Sequence, residues 1–178
     1  MFERYTEGAK RAIFFARQEA TELGSGKIDT EHLLLGLLHY SHSRVNRVFG
    51  LKKHTNSFRL KIKQRYPPSS PLSITDLPLT EPCKWALVHT AEEAQRLGSQ
   101  KIDTDHLVLG LLRDKDSFVA TLLAEVGLDL ARARQIVAPG AGQTPVSEKK
   151  PISPFIGSTL IVILLLAIYL VTKLALGQ

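Results

Sequence analysis

Residues 10–38 read KRAIFFARQEATELGSGKIDTEHLLLGLL, and residues 84–112 read KWALVHTAEEAQRLGSQKIDTDHLVLGLL. The second stretch is the first displaced by 74 residues, the separation of Gly24 from Gly98, and about 17 of the 29 aligned positions are identical without a gap. An internal duplication is the economical explanation, so the fold is that of one unit used twice.

The unit reads as helices. Thr6 is placed to cap a first helix, with Glu7 in the favourable first turn. Ala9, Ile13, Ala16, Ala20 and Leu23 follow at helical spacing, and Gly24 supplies the stop. Thr30 is expected to cap a second helix whose buried stripe is Leu33, Leu34, Leu37 and Leu38. Val45, Val48 and Phe49 suggest a short third helix ended by Gly50. A fourth is expected over residues 54–65, although Phe58, Leu60 and Ile62 alternate as in a strand. The second half copies the plan. Thr80 caps a helix carrying Pro82 in its first turn, where proline costs little. Leu97 and Gly98 end it, Thr104 caps the next, and Val119, Leu122, Leu123 and Val126 face inward before Gly127. Residues 129–138 form the last helix. The proline-rich stretch from Tyr66 to Pro78 joins the halves. Each half has too little apolar surface to stand alone, and packed together they form one core.

Lysine and arginine outnumber aspartate and glutamate by 23 to 17 in 178 residues. A charge of +6 permits an acidic partner, anionic lipid or nucleic acid and selects none of them. Cys83 is the single cysteine, so no intrachain disulfide forms. The N-terminus lacks the apolar core of a secretory signal. From Phe155 to Thr172 the sequence FIGSTLIVILLLAIYLVT carries no charge. At ~1.5 Å per residue, Phe155 to Leu176 makes a helix of roughly 33 Å, enough for a bilayer core of about 30 Å. Residues 155–176 are therefore expected to form one transmembrane helix, with Tyr169 and Lys173 toward its ends. Residues 139–154, rich in proline, glycine, serine and threonine, read as a flexible linker. Lys149 and Lys150 precede the span and Lys173 alone follows it, which favours a cytosolic N-terminal body on a tail anchor.

The paired motifs TEGAKRAIFFARQEATELG…IDTEHLLLGLL and LTEPCKWALVHTAEEAQRLG…IDTDHLVLGLL resemble the double Clp N-terminal domain that fronts the Clp-type AAA+ unfoldases. The resemblance covers roughly residues 2–138, as repeats 2–66 and 77–138. It implies an all-α fold of two four-helix repeats related by a pseudo-twofold, and a role in docking adaptors and substrates of a chaperone and proteolysis machinery. No AAA+ module follows in this sequence. Gly24-Ser25-Gly26-Lys27 is not a phosphate loop, because Thr21 and Ile28 stand where the motif needs glycine and a hydroxyl. No nucleophile with a base and no metal-ligand cluster is evident, so neither an enzyme nor a cofactor is expected.

Glu31 and Asp105 are equivalent, each directly after the expected cap. In the Clp-C type of this domain such acids, with the threonine opening each repeat, are associated with phosphorylated arginine. The resemblance thus implies a protein-ligand site at Glu31 with Thr6 and another at Asp105 with Thr80. The plain alternative is an acid that complements the helix dipole, worth ~0.3–1 kcal/mol. His32 and His106, also equivalent, read as packing residues, and Cys83 as a first-turn thiol without a base. Between Glu31 and Asp76 there is no acidic residue, while Arg44, Arg47, Lys52, Lys53, Arg59, Lys61, Lys63 and Arg65 are all basic. That stretch is expected either to be a solvated face or to lie on anionic headgroups or an acidic partner. Nucleic acid is not expected, for want of a reader motif. Two functions remain: a membrane-anchored module docking substrates, adaptors or Clp components, and a membrane-surface scaffold that has lost the Clp partnership.

Overall fold

The computed structural model describes residues 3–39, 43–66 and 77–138. The linker expected at 139–154 and the span expected at 155–176 lie outside them. Among the described residues no helix is long and apolar enough to cross a membrane. Eight α-helices are seen there: α1 (Glu7–Glu22), α2 (Thr30–His39), α3 (Arg44–Phe49), α4 (Thr55–Lys63), α5 (Glu81–Arg96), α6 (Thr104–Leu112), α7 (Phe118–Glu125) and α8 (Leu130–Val137). The body is all-α, four helices to a repeat.

The alternation around Phe58 is resolved in favour of a helix. Phe58 and Ile62, four apart, are buried while Leu60 is 64% exposed, and a 3-10 turn at Leu51–His54 precedes the helix. Thr6 and Thr80 cap α1 and α5 as expected, their hydroxyls accepting from the Ala9 and Cys83 amides. The caps of α2 and α6 fall one residue earlier than expected. Asp29 accepts from the Thr30 amide, and Asp103 accepts from the amides of Asp105 and His106. A carboxylate is the stronger acceptor for orphan amides, and it leaves Thr30 and Thr104 as the first helical residues.

The core is built on α2 and α6. Every residue from Glu31 to Leu38, and every residue of α6, is buried. Leu35 therefore joins the four leucines expected to face inward, because a helix apolar all round is enclosed rather than striped. Buried leucines contribute about 1.5–3 kcal/mol each, which makes these two helices the main hydrophobic asset of the fold. The outer helices approach them through small residues: Ala9, Ala12, Ala16 and Ala20 on α1, and Cys83, Ala86, Thr90 and Ala94 at the equivalent places on α5, all buried.

The repeats interlock crosswise. The Ile102 amide donates to the Arg4 carbonyl, and the Thr6 amide donates to Ile102. The same two bonds recur 74 residues on, with Ile28 donating to Pro78 and Thr80 donating to Ile28. The start of each repeat is thus bound to the loop before the second helix of the other, as a pseudo-twofold requires.

Candidate functional site

The crosswise pairing extends to the threonines among the four expected site residues. Thr80 belongs with the start of α2, where its hydroxyl donates to Asp29 Oδ1 at 2.9 Å. Thr6 is bound to Ile102, at the entry to α6. Each threonine is therefore hydrogen-bonded to the segment just before the acid-bearing helix of the opposite repeat. The duplicated units exchange these contacts across the axis, which linear spacing within one repeat does not encode.

The acids themselves are engaged internally. Glu31 is 5% exposed; one oxygen accepts from the Thr30 hydroxyl at 3.0 Å and the other pairs with Arg65 Nε at 3.2 Å. The Arg65 guanidinium also lies 4.3 Å from the centre of the Phe118 ring. Asp105 is 4% exposed; it accepts from the Val45 amide at 3.0 Å and from Arg44 Nε at 3.2 Å. Arg44 donates onward to the Val137 carbonyl at the end of α8. Both carboxylates therefore already hold a guanidinium, and both guanidiniums come from the basic stretch of repeat one.

Around Glu31 the neighbours are inert at neutral pH. His32 Nδ1 accepts from the Asp29 amide at 2.9 Å, and burial holds its pKa down at about 4. A neutral imidazole fully enclosed beside Tyr66 is a packing residue, as expected. Burial first, then the charges of Asp29 and Glu31, push the Cys83 thiol up to about 12. The dipole of α5 does not offset this, and the thiol stays protonated. His106 repeats the arrangement, accepting from the Asp103 amide at 3.1 Å. No group of metal-binding side chains converges among the described residues.

The basic stretch divides in two. Arg44, Arg59, Lys61 and Arg65 are spent on ion pairs with Asp105, with Glu19 and Glu22, with Glu125, and with Glu31. Arg47, Lys52, Lys53 and Lys63 are exposed and make no ion pair among the described residues. A second pair of acids was not singled out in the sequence: Glu19 and its equivalent Glu93, both buried on the inner faces of α1 and α5. Glu93 is held by Arg96, Arg113 and Arg134, and Glu19 by His39 and Arg59. The available signal was a charged residue in the apolar phase of the helix, repeated in both halves.

Residues 78–175 match the family model of the Clp repeat (R) N-terminal domain. The chain is 33% identical over 145 residues to the ATP-dependent Clp protease ATP-binding subunit ClpA homolog of Guillardia theta, covering 81% of this chain and 18% of that protein. The chain belongs to the Clp repeat N-terminal domain family. The N-terminal domain of the chaperone ClpD from Arabidopsis thaliana, a crystal structure, superposes with a TM-score of 0.60 at 25% identity, covering 75% of this chain and 91% of that one. The Hsp104 N-terminal domain of Candida albicans shares the fold, with a TM-score of 0.59 at 20% identity over 79% of this chain and 94% of that one. This Clp-repeat chain thus spans less than a fifth of the curated relative it matches. The family match takes in repeat two from residue 78 and runs on to residue 175, and repeat one carries the same motifs.

Proposed function

We propose that this chain is a membrane-anchored docking module. Its helical body binds protein partners (substrates, adaptors or Clp protease components), and residues 155–176 hold it to a membrane with the body on the cytosolic side. The observation that supports docking most directly is on the outer faces of α1 and α5. Phe14 is 63% exposed, its equivalent Val88 44%, and Trp85 58%. A body that buries every leucine of α2 and α6 yet leaves large apolar groups in water at matching places of both repeats has surfaces for partners. Relatives named as a chaperone and as the ATP-binding subunit of a Clp protease make those partners the natural class.

Cross-linking in intact cells tests the reading. Phe14→Glu should deplete the captured partners while leaving the free energy of unfolding within ~0.5 kcal/mol of the unaltered chain, as for an exposed substitution. Capture that ignores both Phe14→Glu and Val88→Glu would remove its basis. A guanidinium ligand at Glu31 or Asp105, phosphorylated arginine included, would have to displace Arg65 or Arg44. On that reading Arg65→Ala and Arg44→Ala strengthen binding of an arginine-phosphorylated peptide, whereas weakened binding in both would make the arginines part of the site.

A second reading rests on the four uncommitted cations. Arg47, Lys52 and Lys53 line a shallow depression of about 360 Å³ beside Val48, itself 64% exposed. Such a surface suits anionic headgroups. Lys52→Ala with Lys53→Ala should weaken binding of residues 1–138 to anionic vesicles in low salt by about thirtyfold, at ~1 kcal/mol for each basic residue removed. Equal binding to neutral and anionic vesicles would count against it.

A further inference from the structure

The start of α5, the end of α6 and the cap of α7 enclose a groove of about 330 Å³, within the range of a pocket for one or two side chains. Trp85 stands over it, Pro82 and Leu111 supply apolar surface, His89 closes one side, and Glu81 and Asp114 are its acidic residues. No lysine or arginine lines it. Lys84, on the outer face of α5, is paired to Glu81 at 2.6 Å.

The repeats differ at this place. The positions equivalent to Trp85 and His89 are Arg11 and Phe15. Phe15 is turned to other use, stacked on His39 at 4.9 Å. Repeat two instead keeps its one indole 58% exposed beside two carboxylates. The packing of α5 on α6 does not require it, because that contact runs through Cys83, Ala86, Thr90 and Ala94. An indole face attracts both apolar groups and cations, and Asp114, which makes no ion pair among the described residues, favours the latter.

We propose that the Trp85 groove is a peptide subsite that takes an arginine or lysine side chain adjoining an apolar one, on an extended segment of a partner protein. This rests on the docking reading and adds the chemistry of the segment. The partner's cation packs on the indole with Glu81 and Asp114 at hand, and its apolar neighbour covers Pro82 and Leu111.

The chain has a single tryptophan, so its own emission reports occupancy of the groove. The full chain, held in detergent, is titrated with Ac-Gly-Ser-Leu-Arg-Leu-Ser-Gly-NH2 and with the same peptide carrying glutamate for arginine. The arginine peptide should shift the emission saturably, and the glutamate peptide should bind about tenfold more weakly, the effect of one desolvated cation contact. Glu81→Gln with Asp114→Asn should bring the two affinities together. A dye-labelled arginine peptide, followed by anisotropy, should lose its binding to Trp85→Arg, which installs the residue of repeat one. Equal affinity of the two peptides for the unaltered chain, no emission change with either at millimolar concentration, or undiminished anisotropy with Trp85→Arg would each overturn the proposal. Partners still captured from cells by a chain that fails these peptide tests would leave the docking reading standing without this subsite.

Discussion

Glu93→Ala is expected to lower the stability of the body by about 3 kcal/mol, the low end of what removing one partner from a buried ion pair costs. The carboxylate is fully enclosed, and it receives Arg113 at 3.0 Å, Arg96 at 3.0 Å and Arg134. One acid thereby joins α5 to the end of α6 and to α8. The arginines are between 31% and 49% exposed, so without Glu93 they turn toward water instead of remaining as trapped charge. That relief is why the low end applies. The control is Glu92→Ala, the half-exposed neighbour, which should cost within ~0.5 kcal/mol of nothing. Urea titration followed by circular dichroism measures both.

The same acid sets a pH dependence. Burial alone would raise its pKa, but the hydrogen bonds from Arg134, Arg113 and Arg96 outweigh burial and hold it down at about 2, against 4.5 for a free glutamate. A depressed folded-state value means that the unfolded chain takes up the proton first. The contribution of Glu93 is therefore complete above pH 4.5 and disappears as the pH falls toward about 2. The gap between Glu93→Ala and the unaltered chain should close across that window. A gap that stays constant down to pH 2, or one already under ~1 kcal/mol at neutral pH, would show that the three arginines hold nothing of consequence.

What was legible in the sequence is what short-range chemistry dictates. Thr6 and Thr80 cap because a hydroxyl before a helical run has amides to accept from. Gly24 and Gly98 end helices because the chain turns there through φ of 67° and 68°, which a Cβ disfavours. The duplication was plain because equivalent positions serve equivalent neighbours. What was not legible depends on which repeat a residue meets. Nothing in the spacing of Thr6 and Glu31 says that Thr80, the cap of α5, is bonded to Asp29 just before α2. Arg44 and Arg65 look like surface charge in a stretch without acids, and their partners, Asp105 and Glu31, lie 61 and 34 residues away along the chain. An acidless stretch is thus a poor guide to free charge when the fold brings counter-ions to it from outside, here Glu19, Glu22 and Glu31 of the same repeat and Asp105 and Glu125 of the other. Glu19 and Glu93 escaped for a related reason: apolar periodicity is read from the residues that fit it, and these acids occupy the buried phase without fitting.

The close backbone approach at two helical glycines makes the second large prediction. A Cβ placed on Gly36 would lie 2.5 Å from the Ala16 nitrogen and 3.0 Å from its Cα, and nearer still to the Ala12 carbonyl oxygen. At Gly110 the same atom would meet the Ala86 carbonyl at 2.5 Å and the Thr90 nitrogen at 2.8 Å, with the Thr90 hydroxyl in the way as well. Two effects oppose each other in a glycine-to-alanine change here. Helix propensity favours alanine by ~1 kcal/mol, whereas forcing a methyl into a filled contact costs ~1–3 kcal/mol, sometimes more. Because the obstruction is mostly backbone, no rotamer change relieves it and the helices must part along their length, so the clash wins. Gly36→Ala should cost about 2 kcal/mol net, and Gly36→Leu should prevent folding of the body. The repeats then separate the causes. In the Gly110→Ala chain, adding Thr90→Ala removes the one obstructing side-chain atom and should restore part of the loss. Gly36→Ala admits no such rescue, since the obstructing atoms of Ala12 and Ala16 all belong to the backbone. A Gly36→Ala chain that is more stable than the unaltered one would mean that propensity governs this position, and that α1 and α2 are not held together by the close approach their glycine and alanines allow.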